Sequence, residues 1–344
     1  MLIQSFCSLA RAWIQVAGIT FFSLGALGAH AQDIVIGQSA PLSGANQELG
    51  EEIRNGALAY FNKINDAGGV NGRKLQLVSL DDANNVERAG ANAKKLIDDN
   101  KVLALYGYAS ATLSRLAVPH AEQAGVAFVS PFTGADPMRK FNRVVYNHRA
   151  SYEDELEKIV NHYATVGVKN FGVLFHADVV GRENETAVVR ALTKRNFKPS
   201  VLIGIPRVSP DIKAAAAQAA SAKPDVMIVT TLVGPSAEFI KATKVLNPGI
   251  QFAANSFSGP NVLLKALGKD GVGVTIAQVV PPVTNRSVPV VMEYQAAFEK
   301  LTGKKEFGAT SLESFIAAKV LVEGIRRAGP KVERTSLMAA LDGI

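Results

Sequence analysis

Few side chains in this 344-residue chain combine the types and spacing that chemistry requires. His120, His148, His162 and His176 never fall at metal-ligand spacing, and no H-E-x-x-H occurs. The single cysteine, Cys7, precludes an internal disulfide or a multi-cysteine metal centre. No G-x-x-x-x-G-K-[ST] is present, and Gly37 leads into Gln-Ser-Ala-Pro-Leu-Ser-Gly, not into a dinucleotide-binding fingerprint. G-x-S-x-G and S-x-x-K, the commonest serine-hydrolase signatures, are also missing. Asp81-Asp82 offers adjacent carboxylates, but such pairs at a strand end more commonly cap a helix or face solvent. These residues predict no metal, no cofactor and no enzymatic activity.

Hydroxyl residues at predicted strand ends are the positive signal: Ser110-Ala111-Thr112, and Ser130-Pro131-Phe132-Thr133-Gly134. Each alone reads as an ordinary helix cap. At successive strand ends of one sheet, they aim hydroxyls and free backbone N–H groups into one volume, a sound way to hold a carboxylate. A nucleic-acid partner is excluded despite the net charge of +7. Lys and Arg are spread along the chain, without dense runs or interleaved aromatics.

The elements that must position these residues alternate. Asp33–Gly37 reads as a buried strand, followed by a helix over 53–67, where Ile53, Ala57, Tyr60, Phe61 and Ile64 share one face. Strands over 74–80, 102–106 and 126–130 then alternate with helices over 87–99 and 112–124. A second series has helices over 152–165, 183–195, 211–222 and 236–246, with strands over 171–175, 201–205, 225–230 and 251–254. Such alternation implies parallel sheets covered by helices on both faces. Extended segments over 146–150 and 279–283 hand one series over to the other. Helices over 290–301, 312–327 and 335–341 lack a full strand series and are expected to return to the first lobe. Two lobes joined by crossing strands make a hinge with a cleft. In it, a ligand sits beyond the carboxyl ends of the strands.

The segment 14–27 is almost wholly apolar, with Arg11 upstream and Ala29-His30-Ala31 behind it. That layout is a secretory signal, with cleavage expected after Ala31. Beyond residue 31 no uninterrupted apolar run approaches the roughly 20 residues of a helical membrane span.

Longer matches carry a family resemblance: Ala40-Pro41-Leu42-Ser43-Gly44, the run from Gly56 through Asn65, Ala67-Gly68-Gly69-Val70-Asn71-Gly72-Arg73-Lys74 and the following Asp81-Asp82. In that stretch Gly68-Gly69 ends a helix with left-handed residues and Asn71-Gly72 turns tightly into the next strand. Gly107 through Thr112, Gly125 through Pro131, and Asp178-Val179-Val180-Gly181-Arg182 extend it. The chain resembles the periplasmic substrate-binding proteins of ABC importers, of the branched-chain (leucine/isoleucine/valine) amino-acid type, over nearly all of its length after residue 31. The resemblance implies an α/β fold of type I with two lobes, each a parallel sheet flanked by helices, joined by crossing hinge strands. It assigns 1–31 to the cleaved signal, 32–147 and 283–344 to lobe 1, and 148–282 to lobe 2. Relatives generally continue past the last helix with strands that recross to lobe 2, so those strands are expected to be missing after 344.

The implied function is capture of a small carboxylate-bearing solute, a branched-chain or related amino acid, and its delivery to ABC permease subunits in the membrane. A sensory binding module, and a binder of aromatic or other small organic acids, are the alternatives. The implied carboxylate cradle falls on Ser110, Ala111, Thr112, Phe132, Thr133 and Gly134. An aromatic position of relatives falls on Leu49, and a frequent tyrosine falls on Val180. The carboxylate that anchors an amino-acid ammonium falls near Ser256 or Phe257, neither of them acidic, with Asp178 as the substitute. Arg149 and Tyr152, at the first crossover, are expected to reach the cleft, Arg149 suiting a second anionic group or a plain organic acid.

Overall fold

The computed structural model describes residues 32–344. The expected signal segment, its cleavage point and Cys7 lie outside the described residues. The first sheet is built from β1 (Ile34–Ala40), β2 (Leu75–Asp81), β3 (Ala104–Tyr106), β4 (Ala127–Val129) and β5 (Val145–Tyr146), in the order β2-β1-β3-β4-β5. All neighbours are parallel, with Ile34 opposite Leu75 and Ala40 opposite Asp81 along the longest pairing. The crossovers are α1 (Gln47–Asp66), α2 (Val86–Asp98) and α3 (Ala111–Ala124). Every residue of β3 and β4 is buried, as expected of strands with helices on both faces.

After β5 the chain enters α4 (Tyr152–Thr165) and then the second sheet. Its members are β6 (Phe171–His176), α5 (Val179–Thr193), β7 (Pro199–Ile205), α6 (Ile212–Ala222), β8 (Val226–Val229), α7 (Val233–Leu246), β9 (Gln251–Ala254), α8 (Pro260–Leu267) and β10 (Val274–Ile276). These strands are parallel too, in the order β10-β9-β8-β6-β7. Counted from its own first strand, the second sheet repeats the strand order of the first. Two equivalent layers thus point their carboxyl edges at a shared cleft.

The last helices, α9 (Pro289–Thr302), α10 (Ala309–Ala328) and α11 (Arg334–Leu341), return to the first sheet. Ser314 donates from Oγ to the Ile53 carbonyl of α1 at 2.5 Å and accepts Tyr106 at its own carbonyl. Phe315 meets the Tyr60 ring edge-on at 5.0 Å, and Tyr146 of β5 donates to the Met338 carbonyl of α11.

The turn read from Gly68 through Arg73 forms as expected. Gly69 donates to the Ile64 carbonyl at positive φ, and Val70 and Arg73 exchange hydrogen bonds around Asn71-Gly72. Three helix starts differ from the sequence reading in one way. Helices α1, α5 and α7 start three to six residues earlier than their periodicity suggests, absorbing Gly50, Gly181 and Gly234 into their first turns. For Gly181 the reason is steric: a Cβ there would lie 1.9 Å from the His176 carbonyl, so the helix can start against β6 only on a glycine. α8 and β10 were not anticipated from the sequence; both are short, with eight and three residues.

Candidate ligand-binding site

The cleft between the two carboxyl edges holds a cavity of about 120 Å³. That is close to the ~150 Å³ apolar cavity that admits benzene in an engineered protein, so the chamber suits a solute of roughly one ring or a short branched chain.

Lobe 1 supplies one wall. Ser110 follows β3 and caps α3, its Oγ accepting the Leu113 amide at 3.4 Å. Ser110 and Ser130 both sit at positive φ, an uncommon conformation for residues with a Cβ and one that clusters at functional sites. The two strand-end loops are tied together, with Ser110 N–H on the Phe132 carbonyl and Phe132 N–H on the Tyr108 carbonyl. The amides of Ala111 and Thr112, first in α3, have no carbonyl one turn back and are available to an anion. Thr133 completes this wall, while Gly134 lets it approach α4: a Cβ there would stand 2.7 Å from Tyr152 Cδ1. Asn84 contributes from the loop after β2 and Val86 as the first residue of α2. Asp81 and Asp82 stay behind that loop. Asp81 accepts Leu42 N–H, Ser43 Oγ and Ala83 N–H, and Asp82 accepts Ser39 Oγ and Asn84 N–H. They fasten the loop and are not a free carboxylate pair.

Lobe 2 supplies the facing wall. His176 ends β6, Thr230 follows β8 and Asn255 follows β9, three adjacent strands. Val180, Gly181 and Asn184 come from α5, Arg207 from the loop after β7, and Phe257 from the turn after β9. Tyr152 stands at the crossover with its ring edge-on to Phe257 and its hydroxyl pushed up to about 12, mainly by burial and against the pull of Arg149. His176 is drawn down to about 4, chiefly by burial with Arg207 adding and Asp178 opposing, so its imidazole is neutral.

Of the residues read from the sequence, Ser110, Ala111, Thr112, Thr133, Tyr152, Val180 and Phe257 line the cavity; the others stand behind it. Leu49 packs with Ile53, Ala109 and Phe132 in a small buried cluster. Gly134 presents its carbonyl to Tyr152 N–H. Asp178 caps α5, accepts Gly181 N–H at 2.9 Å and is gripped by Arg207 through Nε at 2.7 Å. Ser256 donates through both its amide and Oγ to Glu155, at 2.7 and 2.9 Å.

Arg149 is buried against the Phe132 ring, with Nη2 on Ser256 Oγ and 3.4 Å from Glu155, and Nε 3.5 Å from Glu313 of α10. Burial opposes its charge, but Glu313 and Glu155 outweigh burial and hold the guanidinium above its ordinary value. It thus joins the crossover, α4, the end of β9 and α10, and is not among the residues that line the cavity. His176, Thr230, Asn255 and Arg207 were absent from the sequence reading. The hydroxyl-at-strand-end rule that selects Ser110 and Thr133 selects only Thr230 when applied to the second sheet; His176 and Asn255 share the strand-end position but not the hydroxyl.

This two-walled chamber between repeated parallel layers defines a bilobal solute-binding protein. The chain belongs to the periplasmic binding protein family, whose match runs over residues 33–344. It is similar to a Leu/Ile/Val-binding protein, BraC3, of Rhizobium johnstonii, at 25% identity over 95% of this chain and 86% of that one. An amino acid binding protein of Pseudomonas aeruginosa is 29% identical over 58% of this chain, and the match spans about half of that relative (54%). Among solved structures, a substrate-binding periplasmic protein from Ralstonia solanacearum superposes with a TM-score of 0.84 at 30% identity, covering 90% of this chain and 88% of that one. An ABC-transporter solute-binding protein from R. palustris, solved in complex with benzoate, shares the fold at a TM-score of 0.80 and 22% identity, over 90% and 85% of the two chains.

Proposed function

We propose that this protein is the extracytoplasmic solute-binding component of an ABC importer, closing its lobes on a small carboxylate and handing it to the permease subunits in the membrane without chemical change. Residues 32–147 with 283–344 would form one lobe and 148–282 the other. Export with cleavage after Ala31 would place the chain in the periplasm. Closure favours binding only as far as the closed state holds the ligand better than the open one.

One observation carries the choice of ligand: among the cavity-lining residues the only charged side chain is Arg207, a cation. A carboxylate meets the α3 amides and the hydroxyls of Ser110, Thr112 and Thr133. An amino-acid ammonium would find no carboxylate, because Asp178 is capped and paired behind the wall. Burying an uncompensated ammonium costs several kcal/mol, so a small organic acid without an amino group is the favoured solute. The fold does accommodate such an acid elsewhere, as the R. palustris complex illustrates. The names of the Rhizobium and Pseudomonas relatives favour an amino acid as the second reading.

A thermal-unfolding screen of monocarboxylic acids beside leucine, isoleucine and valine separates the two. A bound solute at about 100 times its Kd stabilises by roughly 2.7 kcal/mol. Stabilisation by acids alone supports the favoured reading, whereas stabilisation by amino acids alone installs the second.

A further inference from the structure

The cavity offers strong donors from both of its walls. On lobe 1 the Ala111 and Thr112 amides open α3. On lobe 2 stands Arg207, in the loop after β7, the outer strand of its sheet. Its guanidinium is held by a single carboxylate oxygen, with Nε and Nη2 both donating to Asp178 Oδ2. The other oxygen of Asp178 accepts Gly181 N–H and caps α5, whose N-terminal dipole meets part of the aspartate's charge. The pairing therefore orients Arg207 without using it up: Nη1 makes no hydrogen bond among the described residues. Asp178 does not line the cavity, whereas Arg207 does, with its side chain 41% exposed. The guanidinium also stands close enough to His176, another lining residue, to help hold that ring neutral. Its charge is thus at the cavity and accessible. Asn84, on the lobe 1 side, likewise follows the outer strand of its sheet, so this end of the cavity is its rim.

A solute with one carboxylate satisfies α3 and leaves Arg207 facing carbon or water. Closing the lobes over a hydrocarbon end would strip part of the water from a guanidinium that gains nothing in return. A carboxylate suits it best, because its two oxygens match the fork of guanidinium N–H groups. We propose that Arg207 reads a second carboxylate, so that the solute is a small dicarboxylic acid, with one carboxylate on the α3 amides and the other at the rim on Arg207 Nη1. The rim position keeps the charges in balance: water still reaches the second carboxylate, so the dianion is not buried whole. The inference rests on the carboxylate reading above and adds the second functional group.

The test is calorimetric titration of protein freed of solute, at about pH 7.5, where both carboxylates of a diacid are ionised. The matched acids are benzoate against isophthalate and terephthalate, and pentanoate against glutarate, with the monomethyl ester of each diacid as its neutral-ended control. At least one diacid should bind about fivefold or more tightly than its parent and its monoester, with an affinity that falls more steeply with added salt. Arg207→Gln should weaken that diacid about fivefold more than it weakens the parent, and Arg207→Lys, which keeps the charge but not the fork, should fall between. If parent acids bind and no diacid outbinds its parent, if the monoester binds as tightly as the diacid, or if Arg207→Gln keeps the preference, the second-carboxylate subsite is refuted while carboxylate capture stands. If no acid of any set binds, carboxylate capture fails and the subsite with it. The comparison in the unaltered protein decides the matter even where a variant does not fold.

Discussion

Glu313 supplies the sharpest quantitative prediction. Its carboxylate is buried on α10, with Arg149 Nε at 3.5 Å as its ion-pair partner. Glu155 shares the same arginine but also accepts the Ser256 amide and hydroxyl. One cation thus faces two buried carboxylates, and the less well solvated one keeps its proton. Burial, opposed by Arg149 and reinforced by Glu155, pushes Glu313 from 4.5 up to about 7. Between those values the folded state holds a proton that the unfolded chain has released. The resulting stability is fully present below pH 4.5 and is lost as pH rises through about 7. At about 1.4 kcal/mol per pH unit the loss is about 3 kcal/mol. Glu313→Gln is neutral throughout and does not titrate. Urea unfolding of both proteins across this pH window should therefore show the variant gaining about 3 kcal/mol on the parent as pH rises, with no further gain above pH 8. Subtraction matters because Glu52 is also raised to about 7, by burial, and contributes equally to both proteins. Parallel stability curves for the two would refute the assignment of the hinge proton to Glu313.

Gly134→Ala places a Cβ 2.7 Å from Tyr152 Cδ1 and 2.8 Å from its amide. We expect a loss of about 1–3 kcal/mol in urea unfolding together with weaker solute binding, and unchanged values in both would show that the loop yields freely. His176, held neutral down to about 4 by burial, should show no imidazole titration by NMR between pH 5 and 8; a midpoint near 6.5 would mean that the ring is solvated. His176 itself should then impose no pH dependence on acid binding over that range, because neither its ring nor the solute's carboxylate changes charge there.

The alternation of strands and helices, the turn from Gly68 to Arg73 and the placing of Ser110 and Thr133 at strand ends beside the cavity were legible in the sequence. Each is written in short-range terms: apolar periodicity, a glycine at positive φ, a hydroxyl at a strand end. The helix starts at Gly50, Gly181 and Gly234 were not legible, because glycine weakens a helix locally. At Gly181 what demands it is a carbonyl from another element less than 2 Å from where a Cβ would stand. Arg149 likewise reads as a free cation at a crossover until folding brings Glu155 and Glu313 to it from residues 6 and 164 positions away. His176 and Asn255 lie 79 residues apart, each an unremarkable polar residue after an apolar run. Only the order of β6, β8 and β9 in one sheet brings the two residues to the same cavity wall. Local preference acts over a few residues along the chain, whereas complementarity of charge and hydrogen bonding acts over a few ångströms in space. The first decided the scaffold here, and the second decided what the scaffold can hold.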